Sequence, residues 1–82
     1  MQQDEIQATF AAVLEKVTKV PLAEVAWDKR LREDLHIDSL SLVEVAVAAE
    51  DAFGILIPDE DLERFQTVGD VVDHIQRARV AA

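Results

Sequence analysis

The sequence predicts an all-α fold: a small helical bundle of three longer helices and one short helix, with a long loop between the first and second helices. Three observations predict it. Apolar residues recur at helical spacing in three separate segments, each with a start or stop signal. Ile55-Leu56-Ile57 is the one run that resembles a buried strand, and three residues without a second strand cannot build a sheet. The chain of 82 residues, half of them apolar and none of them cysteine, suffices for one small core without disulfides. Residues 1–82 are therefore expected to form a single domain, with no internal repeat and no linker.

The first helix is expected over about residues 3–18, where Ile6, Phe10, Val13, Leu14 and Val17 share one face. Asp4 and Glu5 stand at its positive end and Lys16 and Lys19 near its negative end. Pro21 stops the pattern, and Val20 to Ile37 reads as a long, partly packed loop with one helical turn after Pro21. Asp38 is suited to cap the second helix, making Ser39 its first or second residue, and Gly54 is a fitting left-handed stop after Phe53. In this helix Leu42, Val45, Ala46, Ala49 and Phe53 form a stripe for the core. Leu40, Val43 and Val47 form a second stripe among Glu44, Glu50 and Asp51. Residues 55–57 read as a packed loop and Pro58 to Phe65 as a short helix with acids in its first turn. Thr67-Val68-Gly69-Asp70 has the form of a capping box with Asp for Glu; it opens a last helix that buries Val68, Val71, Val72 and Ile75, with Arg77 to Ala82 as a frayed tail.

Charge is distributed unevenly. From Asp34 to Glu63 there are nine acids and no lysine or arginine, whereas the rest of the chain is balanced, so the whole formal charge of −9 is concentrated around Ser39. A pI near 4.4 argues against nucleic acid and against anionic lipid as partners, and points to proteins with basic patches. No run approaches the length of a spanning helix and the first residues lack the order of a signal peptide, so a cytoplasmic location is expected; a monomer is expected as well.

Catalytic and metal-binding readings are weak. Asp34, His36 and Ser39 contain the residue types of a hydrolytic triad, but the strand-to-helix elbow and oxyanion hole that such a triad requires have no counterpart in the sequence. His36 and His74, far apart and without cysteine, do not make a zinc site, and His74 reads as a solvated surface residue. Asp59, Glu60, Asp61 and Glu63 suit weak cation binding but lack the spacing of a calcium loop. No catalytic residue and no metal ligand is assigned. Asp38-Ser39-Leu40 alone is an ordinary helix start, but a serine at a helix N-terminus lies in a field that tolerates a phosphate ester, above an apolar face rimmed by acids.

Asp38-Ser39-Leu40, Val43-Glu44, Glu50, Phe53-Gly54, Ile57-Pro58-Asp59-Glu60-Asp61 and Thr67-Val68-Gly69-Asp70, in that order, closely resemble the acyl carrier proteins of dissociated (type II) fatty acid synthases, most of all the actinobacterial type. The resemblance covers about residues 4–78. It implies that Ser39, with Asp38 as motif and cap, receives 4′-phosphopantetheine from coenzyme A through a separate, magnesium-using phosphopantetheinyl transferase. The terminal thiol of that arm then bears fatty acyl groups, supplying what a cysteine-free chain lacks. It further implies a non-catalytic carrier that docks through Leu40, Glu44, Val47, Glu50, Asp51 and Ile57 onto basic patches of the transferase, acyltransferases, ketoacyl synthases, reductases and dehydratases. The family also encloses acyl chains between its helices, and Ala46, Ala48, Ala49 and Ala52 thin the second helix in keeping with this. His36 departs from the pattern, standing where many relatives have glycine. The absence of a long C-terminal extension weighs against specialised mycolate synthesis. The alternatives are a discrete carrier of a polyketide or other secondary pathway, or an unmodified acidic adaptor.

Overall fold

The computed structural model describes residues 3–81 and is all-helical, with α1 at Gln3–Thr18, α2 at Ser39–Phe53, α3 at Asp59–Arg64 and α4 at Val68–Ala81. A 3-10 turn at Leu22–Glu24 supplies the turn expected after Pro21. No strand occurs among the described residues, and none of their helices is long and apolar enough to cross a membrane.

α1 packs on both α2 and α4, and α3 lies against α2. Each long helix buries the stripe that its periodicity selected: Ile6, Phe10 and Leu14 from α1, the stripe from Leu42 to Phe53 from α2, and Val68, Val71, Val72 and Ile75 from α4. Val13 and Val17 are half-buried against this core. Of the alanines of α2, Ala46 and Ala49 face inward, whereas Ala52 is exposed.

The helix ends follow from local chemistry. α1 stops at Lys19, which takes a left-handed φ of 67° while its N–H still reaches Glu15 O at 3.0 Å. α2 ends at Gly54, with φ 67° and ψ 38°, whose N–H bonds Glu50 O at 2.9 Å. At the start of α4 the capping box closes in both directions: Asp70 N–H donates to Thr67 Oγ1 at 3.1 Å, and Asp70 Oδ2 accepts from the N–H groups of Thr67 and Gln66.

The long loop is strapped to the α3–α4 junction by backbone hydrogen bonds. Leu31 N–H donates to Gln66 O at 2.8 Å, Val68 N–H to Lys29 O at 2.9 Å and Gly69 N–H to Trp27 O at 2.9 Å. Thus held, the loop buries Val20, Val25, Leu31, Leu35 and Ile37.

Three expectations are corrected. His74 is not a solvated surface residue: its ring packs edge-to-face on Phe65, with centroids 5.4 Å apart, and its Nε2 is buried without a hydrogen-bond partner. It stands on the face of α4 that turns toward Phe65, and that ring covers it. The tail is helical to Ala81, and Arg79 Nη1 donates to Phe53 O at 2.9 Å, tying the end of α4 to the end of α2; Ala82 lies outside the described residues. Residues 55–57 are only partly packed, since Leu56 is 80% exposed and only Ile57 is buried.

Gly69 is fixed by close approach: a Cβ there would lie 2.6 Å from Trp27 Cε2 and 2.8 Å from Nε1. The Gly69–Trp27 backbone bond prevents the two from separating, so the ring must swing outward. Gly69→Ala is expected to lower stability by about 1–3 kcal/mol in urea unfolding, as overpacking does, and to red-shift the emission of the sole tryptophan. Wild-type stability with unshifted emission would contradict this packing.

Candidate functional site

The site is the loop-to-helix junction around Ser39. Asp38 is extended, with φ −80° and ψ 176°, and its Oδ1 accepts the Ser41 N–H at 2.8 Å. Its carbonyl accepts the Leu42 N–H at 2.9 Å and so begins the helix. Asp38 is thus the N-cap that its residue type predicts, and Ser39 is the first helical residue, with an exposed side chain. The hydrogen bond from the Ser41 backbone, aided by the Ser41 hydroxyl, holds the Asp38 carboxyl below its ordinary pKa.

Two features of this junction escaped the sequence reading. Arg32 reaches back from the loop and its Nη2 donates to Ser39 Oγ at 3.0 Å. The serine at the edge of the acidic segment is therefore in contact with a cation, which only the path of the loop brings there. His36 takes a left-handed φ of 57°, the conformation that glycine tolerates best. Arg32, His36, Ile37, Asp38 and Ser39 line a shallow depression around the hydroxyl.

The hydrogen bonds do not assemble a triad. Asp34 Oδ2 accepts the Arg30 N–H at 2.8 Å, and the partner of Ser39 Oγ is Arg32. Among the described residues no group of three or more His, Asp or Glu side chains is arranged to hold a metal ion.

Below Ser39, the outer face of α2 exposes Leu40 at 72%, Val43 at 47% and Val47 at 60%, next to the exposed acids Glu44 and Asp51. Glu50 differs from these acids: its Oε2 accepts the Ile57 N–H at 2.7 Å and its carbonyl accepts from Gly54 and Ile55, so it anchors the turn that ends α2. The expectation that Ile57 joins the outer face is corrected, because this anchoring turns Ile57 inward to 6% exposure and leaves Leu56 outside. A three-residue loop has no periodicity from which that choice could be read. Val47, Asp51, Leu56 and Ala78 line an open groove beside the turn.

Comparison with known proteins agrees with this geometry. The family described as "Phosphopantetheine attachment site" matches residues 8–75. The chain is 52% identical over 75 residues to the meromycolate extension acyl carrier protein of Mycolicibacterium smegmatis, an alignment covering 92% of this chain and 76% of that protein. It is 43% identical over 82 residues to the acyl carrier protein of Acidothermus cellulolyticus, covering 100% and 98% of the two chains. With the acyl carrier protein of Rhodococcus erythropolis the identity is 49% over 75 residues, covering 92% and 82%.

The cap gives a pH dependence of defined sign. Because the Asp38 pKa is lower folded than its ordinary 3.8, its contribution is complete above that value and is lost as pH falls through the folded pKa. Asp38→Ala and Asp38→Asn carry the same charge but only Asn can cap. Asp38→Ala should melt below Asp38→Asn at every pH, and the advantage of wild type over Asp38→Ala should shrink in acid toward that of Asp38→Asn. Equal melting of the two variants would remove Asp38 from the capping role.

Proposed function

Because the chain belongs to the acyl carrier protein family, whose cofactor is 4′-phosphopantetheine, we propose that Ser39 bears that arm and that the arm carries fatty acyl intermediates as thioesters between the enzymes of fatty acid synthesis. The observation that carries this reading is the exposed Ser39 hydroxyl at the first position of α2, immediately above the apolar, acid-rimmed face of that helix. The residues fit the group. Ser39 Oγ is open to a modifying enzyme, and the positive end of α2 accommodates an anionic ester. When bound, the arm supplies the thiol that this chain lacks.

The rest of the chain presents the tethered acyl group. Leu40, Val43, Val47 and Leu56 offer apolar contact, and Glu44 and Asp51 attract basic patches of the phosphopantetheinyl transferase, acyltransferases, ketoacyl synthases, reductases and dehydratases. Exposed ion pairs accelerate encounter while adding little affinity, which suits a carrier that must leave each partner. Tethering raises the effective concentration of the acyl group at each active site that the carrier visits. The chain acts as one non-catalytic domain, a monomer of the cytoplasm. Relatives named for meromycolate extension support long-chain fatty acid chemistry over a polyketide or other secondary pathway, and the acyl groups recovered from the arm distinguish the two.

Incubation with coenzyme A and a phosphopantetheinyl transferase should add one phosphopantetheinyl group to the intact mass, and Ser39→Ala should abolish the gain. No gain, or one that survives Ser39→Ala, rejects the reading and leaves an acidic adaptor. Glu44 is exposed and forms no ion pair among the described residues, so Glu44→Lys changes the docking charge without breaking an internal contact. It should slow loading severalfold at low salt and flatten the salt dependence; rates equal to wild type across ionic strength would exclude Glu44 from docking.

A further inference from the structure

We propose that Arg32 is the residue that holds the phosphodiester of the arm against the protein, an inference that rests on Ser39 as the attachment point. Ser39 Oγ is the oxygen that becomes esterified, and Arg32 Nη2 already donates to it at 3.0 Å. Phosphorus bonded to that oxygen brings its charged oxygens within reach of the same guanidinium, whichever way the arm leaves the surface. A guanidinium presents paired donors that match a phosphodiester and strengthen when the acceptor is charged, so the contact gains on replacing a neutral hydroxyl by an anion.

The neighbouring acids are committed elsewhere. Glu33 pairs with Arg30, Asp34 accepts the Arg30 N–H and Asp38 Oδ1 accepts the Ser41 N–H, whereas Arg32 forms no ion pair among the described residues. The position of Arg32 is itself determined, because Leu31 beside it is buried and bonded to Gln66 O at 2.8 Å. Arg32, folded back onto the head of a nine-acid segment that has no cation of its own, selects where the anion rests. Arg32 is thus a positioning residue that sets the direction and mobility of the base of the arm.

The test uses the full-length chain, before and after phosphopantetheinylation, with intact mass measured first. On conversion the Arg32 side-chain NH resonances should shift and exchange more slowly with water. In the modified Arg32→Gln protein the phosphorus-31 signal should move toward that of the same serine phosphodiester in the urea-unfolded modified chain and sharpen, with Arg32→Lys between the two. Arg32 is exposed, and backbone amide spectra verify that the variants fold; the wild-type comparison requires no substitution. If the Arg32 resonances stay in place on modification, or Arg32→Gln leaves the phosphorus signal unchanged, the proposal fails. A chain that gains no mass overturns the Ser39 reading with it, whereas one that gains mass at Ser39 with Arg32 unmoved overturns this inference alone.

Discussion

The structure depends on the backbone strap that joins residues 27–31 to residues 66–69. A bundle this small has little apolar surface to spare, and the long loop between α1 and α2 contributes five buried side chains that no helix replaces. An unpaired backbone crossing the core is costly, because each buried N–H and C=O requires a partner. The hydrogen bonds from Leu31 to Gln66, Val68 to Lys29 and Gly69 to Trp27 meet this requirement and fix the register of the loop at the same time. That register places Leu35 and Ile37 in the core, Asp38 at the head of α2 and Arg32 beside Ser39. The capping box of α4 belongs to the same unit, because Asp70 orders Gln66 and Thr67, whose neighbours accept the loop.

Electrostatics divides the surface by task. The acids of α2 and α3 produce a one-signed field suited to steering basic partners, yet acids crowded at the proposed attachment serine would repel an incoming anionic group. The fold avoids this conflict locally, since carboxylates near Ser39 are bound to backbone N–H groups or to Arg30 and the unpaired cation reaches the hydroxyl. Farther along α2, Glu44 and Asp51 remain exposed, while Glu50 is drawn into the turn. Acids that look equivalent in the sequence thus separate into those bound to the backbone and those left exposed, according to which backbone donors lie nearby.

What was legible in the sequence was short-range. The stripe from Leu42 to Phe53, the Asp38 cap, the Gly54 stop and the Thr67–Asp70 box each depend on residues within one or two helical turns, where spacing and geometry correspond. What was not legible depends on the return path of the chain. Arg32 meets Ser39 because the loop folds back, His74 is covered because Phe65, just after α3, lies against it, and Gly69 must be small because Trp27 rests on it. Which residue of 55–57 is buried was set for a similar reason, since the Glu50 side chain, seven residues earlier, binds the Ile57 N–H across the turn and Ile57 faces inward.

His36 illustrates how the site and the core are joined. A non-glycine residue at φ 57° is held there against a local cost of about 1–2 kcal/mol, so the turn before Ser39 would not persist by itself. Leu35 and Ile37 on either side are both buried, at 6% and 2% exposure, and burial of such side chains contributes about 1.5–3 kcal/mol each. Together they exceed the strain and hold the intervening residue in place. The exposed serine therefore needs no rigid surroundings of its own. Its direction is set from beneath, by two side chains anchored in the core, which leaves the outer side of the junction open.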